Sequence, residues 1–210
     1  MQGSRRTNNN LRFALSPTLR PPAPRIISPL VISATMTLTK YLLPAFHGSI
    51  SVVVKDGRII DVLLHDSPPA KVQGSGRIAK DLSDYFSGRR VDFRSHAVDF
   101  SGYTDFQKRV LKATQKIPYG STKSYVEVAR AAGNPRAARA VGQVMARNRT
   151  CIFIPCHRVV GSNGIGGWSG QISWKRDLLN LEGSLKKVES ILRHTRSRVN
   201  RNRRLSVRFR

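Results

Sequence analysis

The apolar positions read as strands in the first half of the chain and as helices in the second. From about Thr37 to Asp99 the pattern is mainly strand-like. Ile50 to Val54 is β-branched, Lys55-Asp56-Gly57-Arg58 carries a turn signal, and Ile59 to Leu64 resumes the apolar run. That sequence of runs predicts a β-hairpin. Ile78, Leu82, Tyr85 and Phe86 then fall at helical spacing, with Gly88 as a stop, which predicts a helix over 78–86. Beyond residue 103 helical spacing dominates. Thr104-Asp105 can cap a helix carrying Phe106, Val110 and Leu111, ending near Pro118-Tyr119-Gly120. Ser121 or Thr122 is expected to open a second helix that ends at Gly133. Asn134 as cap with Pro135 in the first turn is expected to open a third, from Arg136 to Ala146. Two short helices joined by Ala-Gly-Asn-Pro make a helix-turn-helix. Ile152 to Ile154 reads as a short buried strand stopped by Pro155. The glycine-rich stretch 161–170 is a loop, and Ser173 to Leu181 forms the last helix.

Charge adds a partner to this picture. The 210 residues hold 37 Lys and Arg against 12 Asp and Glu, a net of +25. Residues 1–35 contain five Arg and no acid, and residues 186–210 contain ten basic residues and one Glu. Both ends read as basic, disordered extensions: the first is Pro-rich and resists a regular amphipathic helix, the second has little apolar content. The 22 basic and 11 acidic residues of 36–185 still favour a polyanion, nucleic acid foremost, although a generally basic composition serves solubility as well. No run of about 18 apolar residues occurs, so no membrane span is expected. Only Cys151 and Cys156 are present. They can build neither a disulfide framework nor a Cys-rich zinc site, and they fit a reducing, cytoplasmic compartment.

Candidate chemistry concentrates at Ile154-Pro155-Cys156-His157-Arg158-Val159-Val160. A thiolate is the nucleophilic form of cysteine, and an adjacent imidazole can take its proton. The pair alone also suits a buried structural cysteine. The full run, however, resembles the active-site signature of the methylated-DNA–protein-cysteine methyltransferases, the O6-alkylguanine-DNA alkyltransferases. Further landmarks of that family follow in order: Pro118-Tyr119-Gly120, Ser124-Tyr125, Asn134 through Gly142, Asn148, Trp168-Ser169-Gly170, and Leu178-Leu179 to Glu182-Gly183.

The resemblance implies an α/β (α+β) fold: a small supporting domain over 36–102 with a short antiparallel sheet, and a mostly helical domain over 103–185 that binds DNA and transfers the alkyl group. It implies in-line attack by Cys156 on the alkyl carbon at guanine O6, with His157 taking the thiol proton through a water and Glu182 orienting the imidazole. Asn148 would fix the turn, and Tyr125 would donate a hydrogen bond to the departing purine. Val159, Trp168 and Ser169 would line the base pocket. Arg139, on the second helix of the helix-turn-helix, would fill the gap left by a flipped nucleotide. The small residues Ala137, Ala138 and Gly142 would let that helix approach the minor groove, with phosphate contacts from Arg136 and Arg147.

The implied partner is double-stranded DNA bearing O6-alkylguanine, with O4-alkylthymine as the further candidate substrate. The protein would act once, as a monomer, without metal or cofactor. Three other readings compete. A lesion-binding relative would lack the acceptor cysteine, which is present here. A cysteine hydrolase would leave the helix-turn-helix unexplained. A plain basic nucleic-acid binder would make the thiol incidental.

Overall fold

The protein is described by a computed structural model over residues 36–46, 48–162, 164–168 and 172–190. The expected extension 1–35, Ser169 and residues 191–210 lie outside the described residues. An antiparallel meander opens the chain: β1 (Leu38–Ala45), β2 (Gly48–Lys55) and β3 (Arg58–His65) in the order β1-β2-β3. The expected hairpin is β2–β3. Asp56 and Gly57 both take positive φ, 49° and 73°, the pair of left-handed residues that a two-residue hairpin turn requires. Val52 sits opposite Tyr41 on one side and Val62 on the other. Its side chain and those of Ile50 and Ile59 are buried in the core.

Helix α1 (Arg77–Phe86) follows. Its buried residues Leu82 and Tyr85 lie three apart, on one face of the helix, so a single stripe faces the core while Arg77 and Lys80 stay in solvent. The core is continuous from the sheet into the helical segments. Phe93 and Phe153 pack edge-to-face at 5.0 Å, and the Val62 amide of β3 donates to the Arg149 carbonyl at 2.7 Å.

Helix α2 (Asp105–Gln115) starts where Thr104 predicts it. Thr104 and Gln107 form a reciprocal capping box, which satisfies amides that a bare helix start would leave open. The second helix begins later than expected. Ser124 caps α3 (Tyr125–Ala131) in a box with Glu127, because Lys123 and Ser124 form β4, which pairs in parallel with β5 (Val159–Val160). The third also begins later. Residues 134–137 make a turn closed by Ala137 N–H to Asn134 C=O. Helix α4 (Ala138–Ala146) then starts without a side-chain cap, so Asn134 is not its cap.

Residues 152–154 are not a strand. Cys151 and Ile154 make an isolated bridge around a turn in which Ile152 has φ 72°, an uncommon conformation for a β-branched residue. Helix α5 (Ile172–Leu181) closes the helical part. Residues 186–190 are helical rather than disordered, because Val188 buries itself in a small cluster with Val160 and Leu179.

Candidate active site

Pro155 ends the turn at 151–154, and Cys156, His157 and Arg158 form a single 3-10 turn that sends three adjacent side chains in different directions. All three are buried. Asn148, just past the end of α4, spans the junction. Its Nδ2 donates to the Ile154 carbonyl at 2.9 Å and to Cys156 Sγ at 3.0 Å, while its Oδ1 accepts from the Thr150 amide and hydroxyl. Every hydrogen-bonding atom of the amide is used, so the sulfur is held in register with the turn. Burial pushes the Cys156 thiol up to about 11, against the opposing pull of the Asn148 donor and of the Lys175 charge. At neutral pH the resting group is therefore a thiol that needs a base.

A candidate for that base stands on the next residue. His157 Nε2 lies 2.8 Å from Glu182 Oε1, and both side chains are fully buried. Burial disfavours the carboxylate, but its partners outweigh that cost and hold Glu182 down to about 2. Arg158 grips it with Nε and Nη2 at 2.8–3.2 Å. The Tyr85 hydroxyl donates to Oε1 at 2.7 Å and the Gly120 amide to Oε2 at 3.2 Å. An ionised carboxylate only accepts hydrogen bonds, so the proton of neutral His157 belongs on Nε2. Nδ1 is then the basic nitrogen, and it is buried with no hydrogen-bond partner among the described residues. Burial holds the imidazole pKa below its ordinary value despite Glu182, so at neutral pH the ring is free to accept a proton.

Cys156 opens onto a cavity of about 280 Å³ between α3, α4 and the glycine-rich loop, lined by Tyr125, Gly142, Met145, Ala146, Gly167 and Trp168. Tyr125, Trp168 and Cys156, expected around the base, thus line one cavity, and Gly142, expected on the groove-facing helix, lines it as well. Val159 is fully buried in β5 and is not among the lining residues. The described loop is tied from behind by Lys175, whose Nζ donates to the carbonyls of Val159 at 2.7 Å and Gly167 at 3.1 Å. Burial lowers this amine to about 8. Gly166, at φ 78°, passes so close that a Cβ there would sit 3.0 Å from the Tyr125 hydroxyl, so only glycine fits this approach. A second cavity of about 380 Å³ shares Ala146, Cys156 and Trp168 with the first and runs toward β3 and Trp174.

Arg136, Arg139 and Arg147 are exposed, while Ala137, Ala138 and Gly142 are half-buried. Arg139 and Gly142 share α4 with the cavity wall. Tyr85, Arg158 and Lys175 are the site residues that sequence reasoning missed. Arg158 was inside the quoted signature, and a positive charge directly beside a Cys-His pair was the available signal. Lys175 stood on the predicted last helix between Trp174 and Leu178, a charge on an apolar face. Tyr85 gave no signal beyond its helical spacing. Among the described residues no cluster of three His, Cys, Asp or Glu could hold a metal, and no helix is long and apolar enough to cross a membrane.

A family model described as the DNA binding domain of 6-O-methylguanine DNA methyltransferase matches residues 105–184. A methylated-DNA–protein-cysteine methyltransferase of Metallosphaera sedula is 43% identical over 112 residues, which are 53% of this chain and 70% of that protein. The one of Mycobacterium leprae is 39% identical over 145 residues, 67% of this chain and 85% of its own. The crystal structure of Mycobacterium tuberculosis OGT in complex with DNA superposes with a TM-score of 0.60 and 36% identity, over 70% of this chain and 93% of that one. A mixed α/β scaffold carrying a buried thiol beside an imidazole–carboxylate pair defines a protein with a candidate cysteine nucleophile, and the relatives are transferases. The chain belongs to the methylated-DNA–protein-cysteine methyltransferases.

Proposed function

We propose that the protein repairs O6-alkylguanine in duplex DNA by moving the alkyl group to Cys156 Sγ, once per molecule. The observation that carries this reading is the position of the sulfur. It lies in the wall of a cavity beneath α4, held by Asn148, with a neutral imidazole on the adjacent residue.

The nucleotide is flipped out of the duplex, because a buried thiol cannot reach O6 of a stacked base. Arg139, exposed on α4, fills the gap from the minor groove, and Arg136 and Arg147 contact phosphates. The thiol proton passes to His157 Nδ1 through a water, and Glu182, itself gripped by Arg158, holds the ring as it becomes imidazolium. The S–C bond forms as the C–O6 bond breaks. The electron pair of that bond stays on guanine, which takes up a proton and is restored. Tyr125 donates to the departing purine. A thioether does not hydrolyse readily, so the protein is consumed as a monomeric, stoichiometric reagent in the cytoplasm.

The test is intact mass after mixing with excess duplex carrying one O6-methylguanine. A single methyl increment on the Cys156 peptide, lost in Cys156→Ala, is expected. Tight lesion binding with unchanged mass would leave a recognition protein, and neither binding nor mass change would remove the repair reading.

A further inference from the structure

The carboxylate that orients His157 is shared across the molecule. Glu182 Oε1 accepts from His157 Nε2, from Arg158 and from the hydroxyl of Tyr85. Tyr85 stands on α1, 97 positions from Glu182 and outside the segment 105–184 that the DNA-binding-domain model matches. We infer that Tyr85 is a positioning residue that tunes how readily His157 accepts a proton, through the hydrogen bond it donates to Glu182. The inference rests on the proposed transfer reaction and deepens it, giving the α1 region a part in catalysis beyond support.

Packing alone does not account for the hydroxyl. The ring of Tyr85 meets Phe86, Phe93 and Tyr119 edge-on at 5.4, 5.3 and 6.0 Å, contacts a phenylalanine would make equally well. The hydroxyl instead lies 2.7 Å from Oε1 and only 3.5 Å from His157 Nε2, in a fully buried position. Burial first, and then the Glu182 charge, push the phenol well above its ordinary range, so it stays a neutral donor. Each donor on Oε1 withdraws negative charge from the atom that would stabilise an imidazolium. Without Tyr85 the carboxylate pulls harder on the Nε2 proton, the imidazolium gains, and His157 becomes protonated at higher pH. A protonated ring has no lone pair at Nδ1 for the thiol proton.

The other ionisable groups around the ring are fixed in number. Arg158 pairs with the same carboxylate, and Lys175 and Cys156 lie on the cavity side. Tyr119 lies beyond Glu182, its hydroxyl donating to the Leu181 carbonyl at 3.0 Å. None is displaced by losing one hydroxyl.

The experiment is the pH dependence of single-turnover transfer from O6-methylguanine duplex, for the full chain and for Tyr85→Phe. The acid limb is expected to move up by about 0.5–1 pH unit, the size of one lost hydrogen bond to a charged group after its neighbours adjust. On the acid side of the wild-type limb transfer is then about 3–10-fold slower, and at pH 8.5 it stays within about 2-fold. Superimposable profiles, or equal slowing at every pH, would overturn the inference.

An NMR titration of the His157 ring in both proteins reads the same shift without any lesion. It therefore separates failure of this inference from failure of the repair reading, which an unreactive wild-type chain would show. If Tyr85→Phe does not fold, the wild-type hydroxyl decides. A slowly exchanging downfield proton resonance from Tyr85 that shifts as His157 titrates is expected, and its absence refutes the hydrogen bond.

Discussion

Replacing Glu182 with glutamine keeps the shape of the side chain and removes its charge. Arg158, whose side chain is 7% exposed, is left with a buried guanidinium and no counter-ion, although Nη1 still reaches the Ile117 carbonyl. The carboxyl is held at about 2 against an ordinary 4.5, a difference equivalent to about 3 kcal/mol. Breaking a buried ion pair on one side costs about 3–5 kcal/mol, so the two routes agree and Glu182→Gln should lose about 3–4 kcal/mol at pH 7. The sign with pH follows from the direction of the shift. A carboxyl depressed on folding contributes its full stability above about pH 4.5 and loses it as pH falls toward 2. By pH 3 the wild type has given up about 2 kcal/mol of this term, which the glutamine variant never had. Urea unfolding followed by the fluorescence of Trp168 and Trp174 at pH 7 and pH 3 measures both gaps. A gap below about 1 kcal/mol at pH 7, or one that does not narrow at pH 3, would refute the buried ion-pair account.

Three further outcomes are expected. Asn148→Ala removes the donor to Cys156 Sγ and the acceptor for Thr150, so the thiol should titrate above its value near 11; iodoacetamide reactivity against pH reads this, and an unchanged titration would refute it. Arg139 is exposed, so in Arg139→Ala melting should hardly move, while transfer from duplex DNA should slow at least about 10-fold and transfer from free O6-methylguanine should not; equal slowing of both would deny it a role in flipping. Ser124→Ala breaks the capping box of α3 and should cost about 1 kcal/mol in urea unfolding, with loss confined to stability rather than thiol titration.

Local signals made much of this structure legible in advance. The Asp56-Gly57 turn, the Thr104 cap and the spacing of Leu82 and Tyr85 each depend on a few neighbours in sequence, and each appears where expected. The misplaced helix starts had a non-local cause at Ser124. There the chain pairs with β5 from more than thirty residues away, and no local pattern announces such a pairing. The 151–154 turn was hidden for a different reason: Ile152 and Ile154 have strong strand propensity, and Ile152 takes a left-handed φ against it. At the site, Cys156, His157, Asn148 and Glu182 could be named because they carry a signature. Arg158 and Lys175 could not be ranked, since a charged side chain in sequence reads as solvated until its burial is seen. Tyr85 acts through one hydroxyl on a residue whose spacing already explained it as core.

The sharing of Glu182 among distant segments also bears on how the protein is made. Its donors come from Tyr85, Gly120 and the 157–158 turn, at separations of 97, 62 and about 25 residues. Loops of that length close late, because their entropy is lost before their contacts are gained. A chain still emerging from synthesis therefore carries Cys156 before the residue that completes its base has been added. Until Glu182 has been added and these segments have met, Cys156 stands without the imidazole–carboxylate pair that the folded chain places beside it.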